Sequence, residues 1–329
     1  MLVQTLPAAR GAKSIDPAAN REHSALFCVR GYVHEAHFRD HLLAVRWVRG
    51  GREHVTVAGR TMVLDDETYL FINEGRSYDV RFASGSPLQS FAVYLRRGLA
   101  AEVFAGLDAL PLLPVIFDEH LQSHDSVVSP VLRFMERQLA LGVMDPAWYE
   151  EQLAFLLERM FRKQGDIVRR EAAVDAVRSA TRREVVRRVA LATDYIQSCY
   201  ERPMTLADVG AAAALSPHHL LRLFKLVHGC TPREYLQAKR TRVAARLIAS
   251  TELTLEEIAH RVGFEDRSTL GRQLRRTFGV NPRQMRRSTR TPAQLVQMTQ
   301  KPRASAPLAS SQPKALSQSG AIRDSLTAE

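Results

Sequence analysis

One segment of this chain occurs twice, and that repetition constrains the fold more than any other feature. Thr205-Leu206-x-x-Val209, Leu220-x-Arg222-x-Phe224-Lys225, Gly229 and Pro232-Arg233 return as Thr254-Leu255-x-x-Ile258, Leu270-x-Arg272-x-Leu274-Arg275, Gly279 and Pro282-Arg283. The offset is 49 residues from Thr205 to Thr254 and 50 from Leu220 to Leu270, so the copies differ by one residue at their central turn. Matched punctuation over such a length is much harder to reach by chance than a single motif. It predicts a duplicated helix-turn-helix.

In the first copy, Leu206 to Ala214 reads as a short helix, Leu215-Ser216 as a turn and Pro217 to His228 as a second helix, with Ser216-Pro217 as an N-cap and first-turn pair. Leu220, Leu223, Phe224 and Val227 recur at helical spacing and face inward, which turns His218, Leu221, Arg222 and Lys225 outward. In the second copy Leu255 to Val262 supports and Gly263-Phe264 turns. Leu270, Leu274 and Phe278 face inward, leaving Arg267, Ser268, Gly271, Arg272 and Arg275 outward. Outward residues near the start of a second helix are those that enter a major groove. His218, Leu221, Arg222, Arg267, Ser268, Gly271 and Arg272 are therefore the candidate base contacts, with arginine suited to gripping guanine O6 and N7 together. Ser216, Lys225, Arg275 and Arg276 are the candidate phosphate contacts. Pro232 to Ala249 reads as one helix joining the copies.

Charge makes the same point independently. Residues 182–290 hold 21 Lys+Arg against 10 Asp+Glu, a net of +11, and the whole chain holds 46 against 35, also +11. The remainder is neutral, so all the excess positive charge sits with the repeat, as expected for a partner that is double-stranded DNA. No apolar run is long enough for a membrane span. The start of the chain lacks a cationic segment followed by an apolar stretch, so no secretory leader is expected. Cys28, Cys199 and Cys230 are widely spaced and odd in number, which suits a reducing compartment and points to the cytoplasm.

From Ala25 to about Tyr94 short apolar runs alternate with turn signals such as Gly50-Gly51, Asp65-Asp66, Asn73-Glu74-Gly75 and Ser84-Gly85-Ser86-Pro87. That pattern predicts seven short strands in a sandwich or small closed barrel. Further on, Val131, Phe134, Met135 and Leu139, then Leu153, Leu156, Leu157 and Met160, mark two antiparallel helices that either cover the barrel or pair with a second subunit; a homodimer is the favoured reading. The expected organisation is a loose arm over 1–24, a β domain over 25–125, a helical hairpin over 126–164, a linker over 165–181, a DNA-binding domain over 182–290 with its motifs at 206–228 and 255–278, and a disordered tail over 291–329.

The segment Ile258-Ala259-x-x-Val262-Gly263-Phe264-x-Asp266-x-Ser268-x-Leu270-x-Arg272-x-Leu274-Arg275-x-x-Phe278-Gly279-x-Asn281-Pro282, preceded by Ala245-Arg246-Leu247-Ile248, resembles the AraC/XylS family of bacterial transcription regulators. The resemblance covers about 100 residues. It implies a multidomain α+β protein: an all-α C-terminal domain of two helix-turn-helix motifs joined by a long helix, and an N-terminal cupin-like β-barrel that senses a small molecule or mediates dimerisation. The chain departs from the family pattern at Leu270 and Leu274, where Phe is usual, at Asn281 for Thr, and at Met285 for an aromatic residue.

The expected function is thus a sequence-specific DNA-binding transcription regulator, taken as an activator although the sequence does not reveal whether it activates or represses, with a small-molecule effector of unknown identity and RNA polymerase as a candidate partner. Trp47, Tyr69 and Tyr78 are the effector-site candidates, although aromatic strand residues are more often core. Two rivals belong to other classes: a cupin-type metal enzyme with an appended DNA-binding module, and an architectural DNA binder without an effector. His34, His37 and His41, and His120 and His124, lack the context of a metal site, and no phosphate-cradling glycine loop, nucleophile elbow or zinc spacing is present. No metal, cofactor or catalytic residue is expected.

Overall fold

The computed structural model describes residues 1–7, 22–105, 116–172 and 179–288. The tail over 291–329 and most of the arm lie outside the described residues. The arm's first residues do not run loose: Leu2–Pro7 form strand β1, parallel to the start of β2, with Val3 buried. A strand of six residues that borrows its register from a neighbour carries little periodic signal of its own.

Seven further strands follow: β2 (Ala25–Phe38), β3 (Leu43–Arg49), β4 (Glu53–Val57), β5 (Arg60–Leu64), β6 (Thr68–Ile72), β7 (Tyr78–Leu95) and β8 (Gln122–Ser123). Their sheet order is β1-β2-β7-β3-β6-β8, with β4 pairing both β5 and β7. Two expected strands are one: β7 runs through Ser84-Gly85-Ser86-Pro87 without turning. The 14-residue β2 lies antiparallel to the 18-residue β7, and a register shift between Gly31 and Val33 absorbs the irregularity. Glycine and proline signal a turn only where no partner strand takes up the backbone; here they lie on an exposed, bulged stretch, where sheets tolerate them.

Along β3, β6 and the second half of β7 successive residues alternate between two cores. Val45, Trp47, Tyr69, Phe71, Phe91 and Val93 face the helices α2 (Ser129–Ala140) and α3 (Pro146–Ala172), meeting Leu132, Met135, Leu153, Leu156 and Met160. Ala44, Val48, Leu70, Ile72, Ala92 and Tyr94 face the other way, onto Val55, Met62, Tyr78 and Val80, because the β4–β5 hairpin folds over the sheet from the first half of β7. Burial on both faces explains why β6 reads as a nearly continuous apolar run and why β3 does so apart from Arg46, which is buried and paired with Glu53 at 3.1 Å. Among the described residues the ladder does not close into a ring. The expected closed barrel is in this respect an open, folded-over sheet.

A short helix α1 (Leu99–Ala105) precedes the hairpin. Residues 165–172 continue α3 and α4 (Ser179–Cys199) opens the C-terminal domain, so much of the expected linker is helical. Then come α5 (Leu206–Ala212), α6 (Pro217–His228), α7 (Pro232–Ser250), α8 (Leu255–Arg261), α9 (Arg267–Phe278) and α10 (Pro282–Ser288). They share a third core of Ile196, Leu220, Phe224, Ala244, Ile248, Ile258, Leu270, Leu274 and Met285. Leu270, Leu274 and Met285 are 0%, 0% and 1% exposed, so the departures from the family pattern still fill their places.

The two halves dock through charge. The β5–β6 turn presents Asp65, Asp66 and Glu67 to α7: Lys239 Nζ lies 2.7 Å from Asp65 Oδ2, Arg242 Nε 3.2 Å from Glu67 Oε2, and Arg246 pairs with Glu67. Burial alone would raise the Asp65 carboxyl, but the Lys239 ammonium beside it holds it below the usual range. On the other side Asp194 of α4 accepts from the backbone N–H of Leu121 at 2.8 Å and lies 2.6 Å from His120 Nδ1.

Candidate nucleic-acid interface

Each helix-turn-helix is assembled by caps that its sequence announces. Thr205 and Asp208 form a reciprocal capping box on α5, and Thr254 and Glu257 form the same box 49 residues later on α8. The second helices begin at Ser216, whose side chain accepts from His219 N, and at Asp266, whose side chain accepts from Thr269 N at 2.8 Å. Those bonds from Thr269 hold the Asp266 carboxyl below its ordinary range.

The turns require one residue in the left-handed region. In the first copy it is Ala214 at φ 51°, and in the second Gly263 at φ 85°. At Gly263 a Cβ would also stand 2.6 Å from Glu201 O and 2.9 Å from the Arg240 guanidinium. Arg240 is itself buried and donates to Tyr200 O at 2.7 Å and Arg202 O at 2.8 Å, tying the end of α4 to this turn.

Inward and outward faces fall as the periodicity predicts. Leu220, Leu223 and Phe224 are buried on α6, and Leu270 and Leu274 on α9, while Val227 and Phe278 are half-buried. His218, Leu221, Arg222 and Lys225 are exposed along α6, as are Arg267, Ser268, Arg272, Arg275 and Arg276 along α9; Gly271 is half-buried between them, and Ser216 is exposed at its cap. Arg222 and Arg272 take matching positions. Arg222 Nη2 lies 3.1 Å from His219 Nε2, and Arg272 Nη2 donates to Thr269 Oγ1 at 2.9 Å, so each guanidinium is steadied by the residue three before it. Sequence reading missed His219 and Thr269, although their i−3 spacing was the available signal. Arg267 Nε stands 3.9 Å from Glu256, an exposed pair that water and salt weaken.

The two motifs are spaced by α7, whose 19 residues span roughly 28 Å at 1.5 Å per residue. Its face toward the β half is held by the acidic turn, and Leu236, Ala244 and Ile248 are buried.

The effector candidates do not share a cavity. Trp47 and Tyr69 are 0% exposed within the core beneath α2 and α3, whereas Tyr78 belongs to the opposite core. Their polar atoms are engaged: Trp47 Nε1 donates to Glu136 at 3.3 Å, Tyr69 OH to Asp125 at 2.7 Å, and Tyr78 OH lies 3.2 Å from Tyr94 OH. Of the histidines, His37 pairs with Asp79, His41 packs edge-on or tilted among the rings of Phe38, Tyr78 and Tyr94, and His120 faces Asp194.

Two short-helix motifs that each expose a basic second helix, joined by a rigid helix, define a double helix-turn-helix DNA-binding domain. A helix-turn-helix domain model matches residues 209–288, and this domain is of the AraC type. The lactose operon transcription activator of Staphylococcus xylosus is 30% identical over 95 residues, 29% of this chain and 34% of its own length. An AraC-like transcription regulator of Streptomyces antibioticus, named as putative, is 30% identical over 177 residues, covering 54% of this chain and 56% of its own. The C-terminal domain of AraT, a response regulator from Geobacillus stearothermophilus, is a solved structure 36% identical in sequence, covering 31% of this chain and 84% of that one with a TM-score of 0.29. The chain thus spans about a third to just over half of the length of these two curated relatives.

Proposed function

We propose that this chain is a sequence-specific transcription regulator that reads double-stranded DNA with α6 and α9 in successive major grooves. The observation that carries the reading is the equivalence of Arg222 and Arg272: each is exposed, each is steadied three residues back, and both are held to one rigid connector. Successive grooves on one face of B-DNA lie about 34 Å apart, close enough to the length of α7 for modest bending to bring both helices into register. His218, Leu221, Arg222, Arg267, Ser268, Gly271 and Arg272 read bases in this scheme, with Leu221 suited to a thymine methyl. Ser216, Lys225, Arg275 and Arg276 hold phosphate. Gel-shift titration on a selected site and on random duplex tests the division: Arg222→Ala and Arg272→Ala lose preference between the two, and Arg275→Ala loses affinity for both equally.

The N-terminal half, 25–125, serves in this reading as a cupin-like effector domain, supported by its folded-over sheet with a separate interior core. The hairpin over 126–164 pairs two copies, because Phe134, Leu141, Met144 and Phe155 are 45%, 68%, 45% and 46% exposed on its outer side. Such a regulator works in the cytoplasm and addresses RNA polymerase; no described helix is long and apolar enough to cross a membrane. An effector acts only through unequal affinity for two conformations, and the charged seam between the acidic turn and α7 is where two packings of the halves would differ.

A further inference from the structure

The two copies steady their matching arginines by different chemistry. The cap, the residue three after it and the arginine three further on are Ser216, His219 and Arg222 in α6, and Asp266, Thr269 and Arg272 in α9. At that spacing they lie on one face of each helix, at the end proposed to enter a groove.

In α9 the bonds hold no group that titrates near neutrality. Arg272 Nη2 donates to Thr269 Oγ1 at 2.9 Å, and that hydroxyl donates to Asp266 Oδ2 at 3.0 Å. The Thr269 backbone N–H and then its hydroxyl hold the Asp266 carboxyl below the ordinary range, so it stays charged in mild acid. In α6 the middle position is an imidazole, with Arg222 Nη2 3.1 Å from His219 Nε2. A guanidinium has no acceptor, so Nη2 donates, Nε2 accepts and the ring proton sits on Nδ1. The bond therefore requires the neutral ring. A protonated imidazole is a donor at both nitrogens; it offers Arg222 no lone pair and sets like charges together in a groove emptied of water.

Nothing nearby offsets that charge. His219 is exposed, with His218 beside it and Arg222 one turn on, and among the described residues no carboxylate lies within ion-pair distance of it. The acids of the helices packed against α6 are engaged elsewhere: Asp208 of α5 with Thr205, Glu184 of α4 with Arg187 and Arg188, Asp194 of α4 with His120, and Glu234 of α7 with Thr231. Arg188, which donates to Ala214 O in the turn before α6, adds like charge. His228 stands at the far end of α6, against Thr193.

We propose that His219 is a positioning residue that holds Arg222 toward its base only while the imidazole is neutral, so that mild acid weakens sequence reading by the first motif and spares the second, held by Thr269. The proposal rests on the base-reading roles proposed above and makes the specificity of one motif proton-dependent. Imidazole is the side chain that ordinarily changes charge between about pH 5 and 8. A charged imidazole also attracts phosphate, which strengthens binding to every sequence alike. Preference between sequences, rather than affinity, is therefore the quantity to follow.

The probes are a duplex selected from a random pool by the full chain at about pH 8, and two derivatives with one conserved block scrambled in each, titrated by fluorescence anisotropy at about pH 8 and about pH 5.5. The block whose preference Arg222→Ala removes at the higher pH belongs to the first motif. In wild type, preference for that block should fall about fivefold or more on acidification, the lower end of what one arginine–guanine pair discriminates. Preference for the other block should hold, which also shows that the domain stays folded. His219→Gln, whose Oε1 stands as many bonds from Cβ as Nε2 does and takes no proton, should keep the first preference at both pH values. His218→Gln should leave the fall in place, and His219→Ala should show the weakened preference at the higher pH already. Thr269→Val should weaken the second block equally at both pH values, and Thr269→Ser should keep it. A first-block preference that does not change with pH, or a fall that persists in His219→Gln, overturns the role of His219 and leaves the two-motif reading standing. A selected duplex with no block that depends on Arg222 removes that reading, and this inference with it.

Discussion

At the scale of single residues, the two copies solve one backbone problem with different side chains. The left-handed turn residue is glycine in the second copy and alanine in the first, where Cβ crowds the carbonyl. Ala214→Gly is expected to raise stability by about 0.5–1 kcal/mol, strain relief exceeding the added chain entropy. Gly263→Ala should lower it by about 2 kcal/mol or more, since strain and the approach to Glu201 O add together. Urea midpoints of the two variants, moving in opposite directions, check the pair. The arginines proposed to read bases are a different kind of position: Arg222→Ala and Arg272→Ala should each cost about 1–3 kcal/mol of discrimination with little change in stability, while Arg275→Ala should reduce the salt slope of binding by about one. The exposed arginines were legible from the repeat, because helical periodicity fixes which side chains face out; the left-handed turn at Ala214 was not, since the sequence there reads as the end of a helix that in fact stops at Ala212. The aromatic effector candidates were not, because Trp47 and Tyr78 differ by which face of the sheet they occupy, and sequence distance across strands carries no record of facing.

At the scale of elements, the caps were the readable part and the pairings were not. Thr-x-x-Asp or Thr-x-x-Glu before α5, α7 and α8 is a local signal, and all three form reciprocal boxes. Thr254→Ala should therefore cost about 1 kcal/mol, read as a lower denaturation midpoint of the DNA-binding domain. Strand β1 and the fusion of two expected strands into β7 escaped local reading because each depends on β2 lying alongside. The hairpin was visible from its apolar spacing. Its outer apolar residues leave the proposed dimer to a direct test: Leu141→Glu and Phe155→Glu together should convert a dimer into a monomer in sedimentation velocity, and an unchanged sedimentation coefficient would place the interface elsewhere.

At the scale of the whole molecule, two domains with little apolar contact between them are joined by buried charge, a feature that composition hides because the acidic turn and the basic helix lie more than 170 residues apart. Asp65→Asn leaves Lys239 buried beside a neutral partner and should cost about 3 kcal/mol or more of docking energy. In calorimetry a single unfolding transition would then split in two. The sign of the pH dependence follows from the depressed Asp65 pKa. Its contribution is complete above the unfolded value of about 4 and is lost as pH falls through the lower folded value. Docking should therefore survive mild acid and loosen only below about pH 4, which limited proteolysis between the domains can follow. The central claim, that one chain reads DNA with two matched helices, is tested most directly by selecting bound sequences from random duplex with wild type, Arg222→Ala and Arg272→Ala. The account predicts two short conserved blocks about one helical turn apart, one erased by each substitution. A single block, or two blocks that survive both substitutions, would contradict it.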